Sequence, residues 1–71
     1  MPEKVSMGRP QLETLRNLRM DQGYSQVMFA RHVGIHPSPY NRIERGNQMP
    51  TRAQMIKIAK ALHVYSRTIW P

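Results

Sequence analysis

The chain has 71 residues and a formal net charge of +7, from 11 Lys and Arg against 4 Asp and Glu, and 39% of it is hydrophobic. A core of that size closes one small domain and leaves no walls for a substrate cleft, which excludes two domains and most enzyme classes. With no cysteine and only three histidines, neither a disulfide nor a thiolate metal centre can form, and the surplus of positive charge favours a polyanion as partner.

No apolar run approaches the ~18 residues of a membrane span, and the opening MPEKVSMGRP lacks the apolar stretch of a secretion signal, so a soluble, cytoplasmic protein is expected. Residues 1–9, with Pro2, Ser6 and Gly8 and no periodicity, read as a flexible N-terminal arm, and residues 10–71 as the folded domain. From Pro10 the residues Leu12, Leu15 and Leu18 fall three apart, which predicts a first helix to about Gln22, stopped by Gly23.

Ser25 offers a cap for a short second helix with Phe29, Ala30 and Val33 on one stripe, ending at Gly34. The two prolines of His36-Pro37-Ser38-Pro39 are compatible with the first turn of a third helix, about 37–45, because first-turn N–H groups make no intrahelical bonds. Tyr40 and Ile43 anchor that helix, while Ser38, Asn41, Arg42 and Arg45 give it a polar, basic outer side before Gly46. Thr51 can cap a fourth helix, about Arg52 to Leu62, with Met55, Ile56, Ile58, Ala59 and Leu62 at helical spacing. Ser66 is expected to cap a last turn that carries Ile69 and Trp70.

Two short helices joined by a three-residue turn, with the small Ala30 where their axes approach and Gly34 at the bend, satisfy the requirements of a helix-turn-helix over about residues 26–45. No acid lies between Asp21 and Glu44 and none follows it, so the basic half has no carboxylate pair for catalysis and no organised nucleophile and base. His32 and His36 are four apart across Gly34, which breaks the helix that would align them, and His63 has no ligand-like neighbour. No metal and no cofactor are expected.

Leu15-x2-Leu18-Arg19, Gly23-Tyr24-Ser25-Gln26, Phe29-Ala30, Gly34-Ile35, Ile43-Glu44-x-Gly46, Pro50 and Ile58-Ala59-Lys60-Ala61-Leu62 resemble the phage Cro and repressor family, the XRE-like helix-turn-helix proteins, over about residues 11–65. The resemblance implies an all-α, lambda-repressor-like bundle of about five short helices that binds double-stranded DNA, usually as a homodimer on a two-fold operator. It further implies a sequence-specific transcriptional regulator, a repressor by preference, with the third helix in the major groove. An antitoxin or accessory protein-interaction module on the same fold is the alternative.

By the family pattern, Gln26 opens the second helix and contacts a phosphate, joined by Arg45, Asn47 and Arg52 around the following loop. Pro37, Ser38, Asn41 and Arg42 face base edges by the same pattern: Arg42 can fork onto guanine, Asn41 can pair with adenine or reach a phosphate, and the prolines offer only apolar contact. Arg19 and Glu44 match a structural salt bridge of relatives. His36 either caps the third helix or contacts a phosphate when protonated. Lys57 and Lys60 read as a solubilising face. Val27 and Met28 form an exposed apolar spot where relatives are usually polar, either incidental or a contact for another protein, and Tyr65, Ile69 and Trp70 form either a dimer seam or part of the chain's own core.

Overall fold

A computed structural model describes residues 12–71, so the expected arm over residues 1–9 and the helix start at Pro10 lie outside the described residues. Within them the elements are α1 (Glu13–Asp21), α2 (Gln26–Val33), α3 (Pro37–Glu44), α4 (Arg52–Ala61) and α5 (Ser66–Ile69), with no strand among the described residues. The expected all-α bundle is the observed architecture. None of these helices is long and apolar enough to cross a membrane.

Local chemistry accounts for most helix boundaries. Ser25 Oγ accepts from the Met28 amide at 3.1 Å, and Thr51 forms a capping box with Gln54, at 3.1 and 2.9 Å in the two directions. His36 takes the first of its two expected roles: Nδ1 accepts from the Ser38 amide at 3.2 Å, so that nitrogen carries no proton and capping uses the neutral ring. Gly34 closes α2 at φ +76°, and the Ile35 amide beyond it bonds to the Ala30 carbonyl at 2.8 Å. The α1 boundary is tertiary in origin, since Leu12 supplies no side-chain cap and its amide donates to the Glu44 carbonyl at 3.0 Å.

Phe29 lies at the centre of the core, edge-on to Tyr24 at 5.2 Å and to Tyr40 at 5.6 Å between ring centroids. Leu15, Val33, Ile35, Ile43, Ile58, Leu62 and Ile69 are buried around it. His32 stacks on Tyr24 at 5.3 Å, which gives this histidine a packing role.

Two expectations are corrected, and one left open between two alternatives is resolved. Ile56, assigned to the apolar stripe of the fourth helix, is 48% exposed, because Ile58, Ala59 and Leu62 define the inner face and residue 56 lies on the far side of it. Ser66 does not cap the last turn; it is the first residue of α5, and Tyr65 precedes it in extended backbone with no side-chain hydrogen bond. The candidate seam divides, with Ile69 buried and Trp70 packed on the chain's own core, while Tyr65 is 72% exposed beneath the Arg67 guanidinium.

Candidate nucleic-acid interface

The outer side of α3 rests on a buried carboxylate. Glu44, 4% exposed, accepts at Oε2 from Arg19 Nε and from the Tyr40 hydroxyl, both at 2.6 Å. At Oε1 it accepts from Gln26 Nε2 at 2.8 Å and from the second Arg19 nitrogen, Nη2, at 3.3 Å. Arg19, 6% exposed, uses Nη1 to donate to the Tyr24 carbonyl at 2.6 Å. A fork of this kind joins α1 to the end of α3, and Tyr40 and Gln26 draw in the helix surface and the start of α2.

Electrostatics follow from that donor set. Burial pushes the Glu44 carboxyl up, but hydrogen bonds from Arg19, Tyr40 and Gln26, together with the Arg19 charge, outweigh it and hold the group below its ordinary value. Burial, reinforced by the Glu44 carboxylate, pushes the Tyr40 hydroxyl well above its ordinary range, so it stays a donor. Desolvation disfavours the Arg19 charge, yet bonding to Glu44 leaves that guanidinium raised overall. The centre is thus an ionised pair with its lone pairs satisfied, the condition under which a buried ion pair persists.

Above this support, α3 presents a polar surface. Arg42 is exposed and held on two sides, with Nε donating to Gln48 Oε1 at 2.9 Å and Nη1 to Ser38 Oγ at 3.2 Å. Asn41 is half-buried and donates through Nδ2 to Gln26 Oε1 at 2.9 Å. The side-chain amide of Gln26 is therefore engaged at both ends inside the protein, whereas the family pattern directs it to a phosphate. Pro37 is half-buried at the first position of α3, and Arg45, Asn47 and Arg52 are exposed at the end of α3, in the loop and at the start of α4.

Gln48 has no place among the sequence-derived site residues, yet it accepts from the exposed Arg42 guanidinium of α3. Its spacing from Arg42 carries no helical signal, since the loop that returns it lies beyond Gly46, and only the turn geometry reveals the contact. Val27 and Met28 are exposed on α2, as the apolar spot expected there. Among the described residues no cluster of three or more His, Asp or Glu is positioned to hold a metal ion.

A short helix that follows a glycine turn and bears an exposed arginine and an asparagine, on a chain of net charge +7, defines a nucleic-acid-binding module of the helix-turn-helix class. Residues 15–69 match the family model described as Helix-turn-helix. An uncharacterized HTH-type transcriptional regulator of Bacillus subtilis (strain 168), YazB, is 35% identical over 57 residues, covering 80% of this chain and 83% of that protein. The structure is similar to the restriction-modification controller protein C.AhdI from Aeromonas hydrophila, with a TM-score of 0.73, 32% identity, and coverage of 80% of this chain and 86% of that one. The fold is also that of the clp gene regulator ClgR from Corynebacterium glutamicum, with a TM-score of 0.71 at 21% identity, covering 79% of this chain and 60% of that one. The chain belongs to the helix-turn-helix family of DNA-binding transcription regulators.

Proposed function

We propose that this protein is a sequence-specific repressor that binds a two-fold operator in double-stranded DNA as a homodimer, with α3 in the major groove. The observation that carries the proposal is the exposed Arg42, steadied by Ser38 and Gln48 on a helix whose far side is fixed by the buried Glu44 centre. A guanidinium so held loses little freedom on forking onto guanine O6 and N7. Ser38, Asn41 and the apolar edge of Pro37 complete the base-facing side. Arg45, Asn47 and Arg52 flank it and hold the phosphate backbone, so they set register and not sequence. Such a protein acts in the compartment that holds its DNA, here the cytoplasm.

Selection from random-sequence duplex DNA, repeated at two salt concentrations, tests the proposal. A repressor of this design returns a site with two-fold symmetry and half-sites about 34 Å apart, and a flat selection rejects it. The exposed Val27 and Met28 favour a second reading, in which the same fold binds a protein partner through α2. A flat selection with a specific protein complex that Val27→Ser and Met28→Ser abolish would establish that reading in place of the first.

A further inference from the structure

The buried carboxylate also dictates the polarity of a surface amide. An ionised carboxylate only accepts hydrogen bonds, so Gln26 must turn its NH2 group toward Glu44, and Nε2 donates to Oε1 at 2.8 Å. Gln26 Oε1 is then left at the outer end, where Asn41 meets it with Nδ2 at 2.9 Å. Turning either amide over sets oxygen against oxygen or nitrogen against nitrogen. The order is thus fixed from Glu44 outward, through two side chains that start on different helices of the helix-turn-helix unit.

Asn41 is half-buried, and its Oδ1 accepts from no described residue. With one N–H engaged by Gln26, the groups left for DNA are Oδ1 and the remaining N–H. That pair matches the N6 donor and N7 acceptor of adenine in the major groove. Resting on the assignment of α3 as the base-reading helix, we infer that Gln26 is a positioning residue for base readout, which transmits the acceptor-only character of Glu44 to Asn41 and so fixes Asn41 to read adenine. Arg42 lies outside this relay, since its partners are Ser38 and Gln48. A phosphate contact by Gln26 would instead alter affinity for every sequence alike.

The test uses the full chain as wild type, Gln26→Met, Asn41→Ala and Arg42→Ala, each put through random-duplex selection and then titrated against the selected site, its single-base variants and non-specific duplex. Gln26→Met and Asn41→Ala are expected to relax the same A·T pair in each half-site, discrimination there falling about fivefold or more, with non-specific affinity and its salt dependence unchanged. Arg42→Ala is expected to relax a different base pair. Hydrogen exchange in the DNA-free wild type provides a measurement independent of any variant's folding: the Asn41 side-chain amide should exchange more slowly than that of the exposed Asn47. Equal exchange, a uniform loss of affinity in Gln26→Met, or an intact A·T preference in that variant each overturns the positioning role while leaving base reading by α3 in place. A wild-type selection with no preference overturns both.

Discussion

Glu44 carries four hydrogen bonds from three side chains, and its cost is best judged by removing it. Glu44→Ala leaves a buried, uncompensated Arg19 and should destabilise the fold by about 3 kcal/mol or more; the midpoint of thermal or urea unfolding measures this directly. Because the folded carboxyl titrates below its ordinary value of 4.5, its contribution is present in full above that pH and is lost as pH falls through the lower folded value. The wild-type melting temperature should therefore decline below about pH 4.5, and in Glu44→Gln this part of the decline should be absent. On the surface, Arg42→Lys keeps the charge but not the fork, so the preference at one base pair per half-site should fall about tenfold while the salt dependence of binding stays as it was.

Helix ends divide sharply into those that side chains announce and those that they do not. Gly34 must hold φ +76°, and a Cβ there would come no closer than 3.6 Å to a neighbour, the Lys57 Nζ atom. Space is therefore not the obstacle to Gly34→Ala; backbone strain is, and a loss of about 1–2 kcal/mol is expected from chemical unfolding. His63 ends α4 in the same left-handed region, at φ +61°, with the Val64 amide bonded to the Ala59 carbonyl at 3.0 Å. As a residue with a Cβ it bears the strain that a glycine relieves, so His63→Gly should raise stability by up to about 1 kcal/mol, offset in part by the freer unfolded chain. Nothing in the sequence marks that position, since histidine is no usual helix stop.

For the molecule as a whole, a net charge of +7 on 71 residues makes association with DNA strongly dependent on salt. Replacing Arg45 or Arg52 by Gln should weaken binding to all sequences alike and reduce the slope of log K against log salt by about 0.9 for each phosphate that is no longer neutralised. Titrations at several ionic strengths measure both effects. Ile69 and Trp70 already pack on the chain's own core, which leaves Tyr65 as the exposed aromatic beside α5.

Composition, spacing and caps alone determined the number and order of the helices, because Ser25, Thr51, Gly34 and the prolines at 37 and 39 act within four residues of themselves. Helical spacing likewise pointed to a polar, basic outer side on the third helix, with Ser38, Asn41, Arg42 and Arg45 on it. Only tertiary structure decided which of these side chains are tied to one another. Gln26 meets Asn41 and Glu44 across 15 and 18 residues, and Gln48 returns to Arg42 around a loop. The physical reason is one of range: capping and turn preferences are short-range properties of the backbone, whereas the direction of a hydrogen bond between side chains depends on where folding brings the acceptor.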